Sequence, residues 1–381
     1  MNILQVIPRF NPKLGGGVNV VYNISKYLSN KGHNITIITT DYKFSSEHSD
    51  EIKKFGVKVI PFKSLFNFHL FIPSPKMKKW LYDNIESFDI IHLNGARSYQ
   101  NNIIYRYGKK FDIPYVLQSH GSILRIIEIK TIKMIYDLVW GYKIFRDASK
   151  VFALTQSEAK SCESMGIDEK NIEIIPNGVD IDEFKSLPKK GEFRKKLSIN
   201  EKDKIILYLG RIHKSKGLDL LLHSFYELDK DLKNSKLLMV GPDDGYQKYL
   251  EKIANKLNIQ DKIIYTGHVT EEEKKMAFVD SDVFVTPRFY GFPITFTESL
   301  ACGLPIITTN EGDNIDWINN NVGYISKFNK NDLKDSIYKI LNNEKIKIKF
   351  IRNSKNIVNN KLNWDIISEK ILRIYSDIIS N

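Results

Sequence analysis

Three short segments of this 381-residue chain combine glycine with residue types that can bind a charged ligand. The first segment is Gly15-Gly16-Gly17, which follows an apolar stretch and precedes an amphipathic one. Glycines in a strand-to-helix turn let the backbone approach a ligand closely, and the first N–H groups of the helix can bind an anion. The spacing matches neither the G-x-G-x-x-G dinucleotide fingerprint nor a phosphate loop of the Gly-Lys-Ser/Thr type. These residues alone leave open a ligand site or a plain tight turn.

The second segment, residues 210–217, places two cations in another strand-to-helix turn. Arg211 stands at the end of the apolar stretch, and Lys216 stands near the start of the next helix. Two cations beside helix N–H groups suit a diphosphate whose negative charge grows as it leaves. The alternative is a pair of solvated loop cations.

The third segment, residues 286–305, contains a loop with Gly291 and a short helix that we expect to begin near Pro293. Glu298 lies in that helix, where its carboxylate can bind two hydroxyls of a ribose, or can simply face water. The chain has no Asp-x-Asp motif, and we interpret Asp243-Asp244 as the N-cap of a helix over residues 246–257.

The elements that must position these residues alternate between short apolar runs and amphipathic stretches. Helices are expected at, among others, residues 18–28, 218–228 and 271–278. Nearly continuous apolar strands separated by helices predict parallel sheets that are covered on both faces, with ligands at the carboxyl ends of the strands. The predicted strands are residues 2–7, 34–39, 57–61, 89–93, 114–118, 150–154, 172–175, 204–210, 236–241, 262–267, 282–287 and 305–308.

This alternation runs once through each half of the chain, so we predict two doubly wound α/β domains facing each other across a cleft. The predicted domains are residues 1–185 and 186–363, with a charged linker of weak periodicity over residues 180–204. Residues 364–381 form a C-terminal amphipathic helix that could pack on either half, the first domain included.

Composition excludes several classes of protein. With 42% hydrophobic and 27% charged residues the chain is not disordered, and its two cysteines cannot build a disulfide framework. No apolar stretch approaches the ~20 residues of a membrane span, and no signal peptide is evident, so we expect a cytoplasmic protein.

The net charge of +12 is concentrated in the first part of the chain. Residues 1–150 hold 22 Lys and Arg against 11 Asp and Glu, a net charge of +11. Two stretches there, residues 62–80 and 123–150, mix basic and apolar residues. They are interpreted either as core-packing helices with basic outer faces or as a surface that contacts anionic lipid headgroups, at the inner face of the cell membrane.

The motifs together resemble the GT4 family of retaining glycosyltransferases, which have the two-domain GT-B fold. The matching residues run in order along the chain: Gly16-Gly17, Ile175-Pro176-Asn177-Gly178-Val179-Asp180, Gly210-Arg211, Lys216-Gly217, Glu298 and Ala301-Cys302-Gly303-Leu304-Pro305. The resemblance covers essentially the whole chain.

The resemblance implies a role for each matching residue. Gly16 and Gly17 would lie against the donor phosphates or the acceptor, while Arg211 and Lys216 would bind the diphosphate and stabilise the leaving group. Three further roles concern the base, the ribose and the sugar: Val269 would contact the nucleotide base through its backbone, Glu298 would bind the donor ribose, and His120 would reach the transferred sugar.

The loop around Gly291 departs from the family pattern. The donor-binding stretch implied by the resemblance is Tyr290, Gly291, Phe292, Pro293, Ile294 and Thr295. Tyr290 stands where the family usually has a first glutamate, and a phenol carries no charge near pH 7. Pro293 stands where the family often has glycine, and it supplies no N–H. The donor sugar must therefore be bound differently. His120 itself is either an active-site or a structural histidine, and His92 is assigned a structural role.

The resemblance implies a metal-independent reaction without a cofactor, in which Arg, Lys and helix N–H groups neutralise the departing diphosphate. The expected donor is a UDP- or GDP-linked hexose or N-acetylhexosamine, and the expected acceptor is a glycan, a lipid-linked molecule or a phosphorylated molecule. A sugar-nucleotide epimerase of the same architecture remains an alternative. A basic protein that binds nucleic acid is a further alternative, but no interleaved aromatic and basic surface is apparent, so no nucleic-acid partner is expected.

Overall fold

The computed structural model describes residues 1–68, 71–123, 130–313 and 315–380. They form two compact units, Met1–Gly178 with Trp364–Asn381, and Val179–Asn363. Eight residues of the mixed basic and apolar stretches lie outside the described residues: His69, Leu70, Leu124, Arg125, Ile126, Ile127, Glu128 and Ile129.

The first unit is built on a parallel sheet of seven strands in the order β3-β2-β1-β4-β5-β6-β7. Each predicted strand of this half is confirmed to within one residue at either end, because β-branched apolar runs buried on both faces suit a central parallel sheet. The strands are β1 (Asn2–Val6), β2 (Asn34–Thr40), β3 (Lys58–Phe62), β4 (Ile90–Asn94), β5 (Tyr115–Gln118), β6 (Lys150–Ala153) and β7 (Ile172–Ile174).

Helices cover this sheet, and the last helix of the chain belongs to the same unit. It packs on the first helix, where Lys31 Nζ lies 2.7 Å from Asp365 Oδ1, and its Tyr375 is fully buried. The helices are α1 (Gly16–Asn30), α2 (Ser46–Lys53), α3 (Pro75–Asn84), α4 (Tyr99–Phe111), α5 (Lys130–Tyr136), α6 (Tyr142–Arg146), α7 (Gln156–Ser164) and α15 (Trp364–Ser380), with a π-helical turn at Asp137–Gly141.

The second unit has a parallel sheet of six strands in the order β10-β9-β8-β11-β12-β13. Five of these strands were predicted, and the sixth, at Gly323–Ser326, was missed. A Cβ on Gly323 would lie 1.7 Å from the Ile306 backbone oxygen, so only glycine lets this strand pair with its neighbour. The strands are β8 (Lys204–Leu209), β9 (Ser235–Val240), β10 (Ile263–Gly267), β11 (Val283–Thr286), β12 (Ile306–Thr309) and β13 (Gly323–Ser326).

Residues 180–204, interpreted above as a linker, are an ordered part of the second unit. The buried carboxylate of Asp280 accepts hydrogen bonds from the backbone N–H groups of Gly191, Phe193 and Arg194. The helices of this unit are α8 (Glu192–Lys196), α9 (Leu218–Asp231), α10 (Gln247–Leu257), α11 (Glu271–Asp280), α12 (Ile294–Ala301), α13 (Lys330–Leu341) and α14 (Glu344–Asn360).

Both sheets have a point where the strand order reverses, between β1 and β4 in the first unit and between β8 and β11 in the second. Open α/β sheets bind ligands beside the carboxyl ends of the strands at such a point. The turns that follow β1, β8 and β11 are the three segments that the sequence analysis selected.

Candidate active site

In the first unit, the glycine turn after β1 contacts His120, which follows β5. Helix α1 begins at Gly16, and Gly15 before it has φ 128°, a conformation open mainly to glycine. A Cβ on Gly17 would lie 3.4 Å from His120 Cδ2, so a side chain larger than methyl would displace the imidazole ring. The structure thus brings together two of the predicted residues, Gly17 and His120.

The buried carboxylate of Glu158 fixes the backbone that carries His120. Its Oε1 accepts hydrogen bonds from Gly121 N at 2.8 Å and from the Ser119 hydroxyl, and its Oε2 accepts one from Leu154 N at 2.8 Å. His120 has φ 51°, in the left-handed region, and these bonds offset the cost of that conformation. Sequence reasoning missed Glu158, because a glutamate three residues after a threonine reads as part of an ordinary capping box.

A second anchor for the same loop is the ion pair between Arg97 and Asp137. Arg97 Nε lies 2.8 Å from Asp137 Oδ1, and the two side chains are 8% and 0% exposed. The same guanidinium donates to the carbonyls of Ser122 and Ile123 at 2.6 and 2.8 Å. Residues 119–123 after β5 are therefore held by two buried carboxylates and a guanidinium, as a preorganised binding group requires.

His120 is a neutral imidazole, and one of its ring nitrogens has no hydrogen-bond partner among the described residues. Burial lowers its pKa to about 4. Its Nε2 lies 3.0 Å from Asn94 Oδ1, and its Nδ1 is buried without a hydrogen-bond partner among the described residues. It can therefore exchange a hydrogen bond with a ligand, but it does not supply a positive charge at neutral pH.

In the second unit, the turn after β8 supplies a cation without a counter-ion. Lys216 is half-buried, its ammonium has no acceptor among the residues that the structure describes, and burial together with the nearby Arg211 lowers its pKa. Its backbone oxygen accepts a hydrogen bond from Arg288 N at 3.2 Å. This bond ties the turn after β8 to the turn after β11, so two of the predicted segments meet.

Arg211 is exposed and forms an ion pair at the surface. Its Nη1 lies 2.6 Å from Asp244 Oδ2, with the side chains 66% and 42% exposed. An exposed pair of this kind contributes little to stability, so the guanidinium can exchange its partner for a phosphate at low cost. The N-cap of α10 is Tyr246 rather than the predicted Asp243-Asp244, although Asp243 Oδ1 accepts from the backbone N–H groups of Tyr246 and Gln247 at the start of the helix.

Glu298, predicted to bind a ribose, is buried in α12 and pairs with Lys274 of α11. Glu298 Oε1 lies 2.7 Å from Lys274 Nζ, while its Oε2 is buried without a partner among the described residues. Burial raises the pKa of Glu298, and the Lys274 ammonium opposes this shift. Sequence reasoning missed Lys274, since lysines in an acidic helix usually face water.

The donor-binding loop predicted at residues 290–295 is held by Asp313. The Asp313 carboxylate accepts from Gly291 N, and Asp313 N donates to the Phe289 carbonyl at 3.0 Å. Tyr290 is half-buried, and its hydroxyl makes no hydrogen bond within the described part of the chain. Pro293 is the N-cap of α12 rather than its first residue, with Ile294 and Thr295 following it in the first turn and Phe292 buried before it.

The last predicted residue of the second unit is Val269. Val269 is half-buried in the turn between β10 and α11, the helix that carries Lys274. Within residues 1–68, 71–123, 130–313 and 315–380, no group of three or more His, Cys, Asp or Glu could hold a metal ion. Over the same ranges, no helix has the length and apolar character to span a bilayer.

Comparison with known proteins identifies the class and then the family. The sequence model described as Glycosyltransferase Family 4 matches residues 14–183, and the one described as Glycosyl transferases group 1 matches residues 189–357. The structure is similar to that of Anabaena HepE in complex with UDP and glucose, with a TM-score of 0.79 and 15% identity over 99% of this chain and 100% of that one. The fold is thus that of the GT-B glycosyltransferases.

Curated relatives agree with this class. The chain is 23% identical to an uncharacterised glycosyltransferase of Methanocaldococcus jannaschii over 98% of both chains. It is 25% identical to the alpha-monoglucosyldiacylglycerol synthase of Streptococcus pneumoniae over 78% of this chain and 68% of that one. The chain belongs to the GT4 family of glycosyltransferases and is an enzyme that transfers a sugar from a nucleotide-sugar donor.

Proposed function

We propose that this protein is a retaining glycosyltransferase that moves a hexose or N-acetylhexosamine from a UDP- or GDP-linked donor to a glycan, lipid-linked or phosphorylated acceptor. The observation that carries the proposal is Lys216, a half-buried ammonium without an acceptor among the described residues, at the point where the sheet order reverses. A group of this kind is costly to bury unless an anion joins it. The diphosphate of a nucleotide sugar is such an anion.

The proposed reaction uses the charges of the second unit. The bond between the anomeric carbon and the donor phosphate breaks, and Lys216, Arg211 and the first N–H groups of α12 stabilise the negative charge on the diphosphate. The acceptor hydroxyl attacks the same face of the sugar, so the anomeric configuration is retained. Its proton passes to an oxygen of the departing diphosphate, and no metal ion or cofactor takes part.

The remaining residues have binding roles in this proposal. Glu298 binds the ribose through Oε2, the oxygen that Lys274 leaves without a partner. Val269 contacts the base through its backbone, and the loop at residues 290–295 contacts the donor sugar. In the first unit, His120 and the Gly16-Gly17 turn contact the transferred sugar and the acceptor.

Three alanine variants test the site in an assay of sugar transfer. Lys216→Ala and Arg211→Ala should each lower kcat/KM about 100-fold, since removing one group that stabilises the leaving charge costs about 10²–10³ in rate. Glu298→Ala should raise the KM for the donor. Lys214→Ala is the matched control, because Lys214 is an exposed cation of the same turn and should leave the activity within about twofold.

The anomeric configuration and the reaction type are tested on the product. Proton NMR of the product should show the anomer of the donor, and an inverted anomer would refute the retaining mechanism. Incubation of donor without acceptor should leave the nucleotide sugar unchanged, whereas an epimerised nucleotide sugar would make the protein an isomerase. Normal activity in all three alanine variants would overturn the assignment of the site.

The described part of the first unit also supports a proposed contact with an anionic membrane at the cytoplasmic face. Its π-helical turn and α5 expose large apolar side chains, among them Leu138 at 66% and Trp140 at 45%. Exposed apolar residues next to basic ones are typical of interfacial surfaces. The relative from Streptococcus pneumoniae is named as a synthase of a glycosylated diacylglycerol, which is consistent with a lipid acceptor.

Vesicle flotation tests this contact. The wild-type protein should float with phosphatidylglycerol vesicles at low salt, and the Leu138→Glu/Trp140→Glu protein should stay in the soluble fraction. Ile348→Glu is the control, because Ile348 is 58% exposed on the second unit and lies outside the proposed surface. Equal flotation of all three proteins, or of none, would refute the membrane contact.

A further inference from the structure

A chain of buried hydrogen bonds links His120 to the C-terminal helix within the first unit. Tyr375 of α15 lies with its hydroxyl 2.7 Å from His92 Nδ1, and Gln5 Nε2 lies 3.4 Å from the same nitrogen. Asn94 Nδ2 lies 2.8 Å from Gln5 Oε1, and Asn94 Oδ1 lies 3.0 Å from His120 Nε2. Tyr375, His92 and Gln5 are fully buried, so no water competes for these groups from the surface.

The direction of every bond in this chain follows from one backbone carbonyl. Asn94 Nδ2 also lies 3.2 Å from the His92 carbonyl oxygen, which can only accept. The amide of Asn94 must therefore point its Nδ2 inward and its Oδ1 at His120, so His120 Nε2 is the nitrogen that donates. Gln5 then accepts through Oε1 and donates through Nε2, which makes His92 Nδ1 an acceptor and Tyr375 a donor to it.

Burial ensures that each imidazole carries a single proton. It lowers the pKa of His92 to about 3, with a further contribution from His120, and lowers the pKa of His120 to about 4. A neutral imidazole has one N–H, so fixing Nε2 as the donor of His120 leaves its Nδ1 as an acceptor. This Nδ1 is buried and has no partner among the described residues.

The stability of the fold does not by itself account for a buried hydrogen-bond network of this kind. Each buried polar side chain could be replaced by an apolar one of similar volume at little cost in stability, whereas a partly satisfied network is destabilising. The fully buried Gln118 forms a further side-chain hydrogen bond with His92, which opposes the lowering of the His92 pKa by burial. The chain of bonds ends at His120, which the resemblance to the GT4 family places at the transferred sugar.

We propose that Tyr375 is a positioning residue: through His92, Gln5 and Asn94 it holds His120 in the Nε2–H form, so that Nδ1 accepts a hydrogen bond from a hydroxyl of the substrate. Without the Tyr375 hydroxyl, His92 can take a proton at Nδ1, and the Gln5 amide then turns over to accept it, which sets Gln5 Nε2 against Asn94 Nδ2. This contact between two donors opposes the bond from Asn94 Nδ2 to the His92 carbonyl, so the Asn94 amide turns over in part of the molecules. The amide nitrogen of Asn94 would then face His120 Nε2 and favour the opposite tautomer. The last step, from His120 to the substrate, rests on the proposed function.

The test compares Tyr375→Phe with Tyr115→Phe in the full-length protein. Tyr115 is the matched control, because its buried hydroxyl donates to the Ile144 carbonyl at 2.6 Å in the same unit and takes no part in this network. Both variants lose one buried hydrogen bond and should lose similar thermal stability. Only Tyr375→Phe should lower kcat, by about threefold to tenfold, with the donor KM unchanged.

A second readout follows the tautomers in the free protein and does not depend on activity. With ¹⁵N-labelled histidine, the ring nitrogens of His120 and His92 can be assigned from the signals lost in His120→Gln and His92→Gln. Wild type and Tyr115→Phe should show both rings with the proton on Nε2, and Tyr375→Phe should show a second tautomer at both. If the wild type shows His120 with its proton on Nδ1, the inference is wrong.

The two readouts separate the two proposals. Unchanged tautomers and unchanged kcat in Tyr375→Phe would overturn the positioning role. A tautomer shift without any change in kcat would also overturn it, because the network would then have no part in the reaction. If the wild-type protein transfers no sugar, the proposed function fails, and the tautomers alone decide whether the network holds His120 as described.

Discussion

The pairing of Lys274 with Glu298 predicts a pH-dependent loss of stability when the lysine is removed. The two side chains are only 14% and 12% exposed, and their charged atoms lie 2.7 Å apart. Lys274→Met keeps the length and the apolar body of the side chain but leaves the Glu298 carboxylate buried without its counter-ion. Breaking a buried pair from one side costs more than replacing both partners.

Protonation of Glu298 limits this cost and makes it depend on pH. A buried carboxylate can bind a proton instead of remaining charged. The free-energy cost of this protonation is about 1.4 kcal/mol for each pH unit above the ordinary pKa of the group. The loss in free energy of unfolding is therefore at most ~3.5 kcal/mol at pH 7 and below ~1 kcal/mol at pH 5. In the native variant, Glu298 keeps its proton above its ordinary pKa of 4.5, whereas in the unfolded chain Glu298 releases it there. The stability of the variant therefore falls as the pH rises.

Differential scanning calorimetry at pH 5 and pH 7 measures this effect. Lys274→Met should lower the Tm by about 10 °C at pH 7 and by about 2 °C at pH 5 for a unit of this size. The double variant Lys274→Met/Glu298→Gln should recover much of the loss, while Lys275→Met, which removes a bond to the Glu183 carbonyl at the surface, should change the Tm little. An equal loss at both pH values, or no recovery in the double variant, would refute the reasoning.

Three further substitutions test other parts of the structure. Burial alone would raise the pKa of Asp282, but Lys347 and a backbone amide hold it below its ordinary value, so Asp282→Asn should lower the Tm at pH 7 and lose this effect as the pH falls through the lowered pKa. Gly323→Ala would place a Cβ 1.7 Å from a backbone oxygen of β12, and it should lower the Tm by more than about 10 °C in a thermal melt. Glu158→Gln puts an N–H donor against backbone donors, and it should lower both the Tm and the turnover measured in the sugar-transfer assay.

The sequence contained enough information to predict the sheets because their strands are buried on both faces. Runs such as residues 35–39 are β-branched throughout, and such runs suit a parallel sheet covered by helices on both faces. Strand β13 was missed for the opposite reason. It has four residues, begins with Gly323 and comes one residue after three consecutive asparagines, so this region has the composition of a turn. Only the close approach of a neighbouring backbone shows why glycine begins a strand there.

The candidate site was predictable where it depends on turns and not where it depends on distant partners. Glycines and cations that directly follow strands can be recognised locally, as with Lys216. In contrast, the bond between Tyr375 and His92 joins residues 283 positions apart, and Glu158 and Asp313 act on backbone amides of other turns. Such contacts are set by tertiary packing, for which the local sequence carries no signal.

The electrostatics of the two candidate sites differ in a way that divides the reaction between them. In the second unit, Lys216 has no counter-ion among the described residues, and Arg211 has only an exposed partner that it can exchange easily. This unit therefore suits the anionic part of the donor. The first unit offers His120, which is neutral at pH 7 and donates or accepts hydrogen bonds, and so it suits uncharged hydroxyls. Added salt should therefore weaken donor binding more strongly in the wild type than in Lys216→Ala, while His120→Gln should leave that salt dependence unchanged. If instead His120→Gln abolishes the salt dependence, measured as donor KM against ionic strength, this division is wrong.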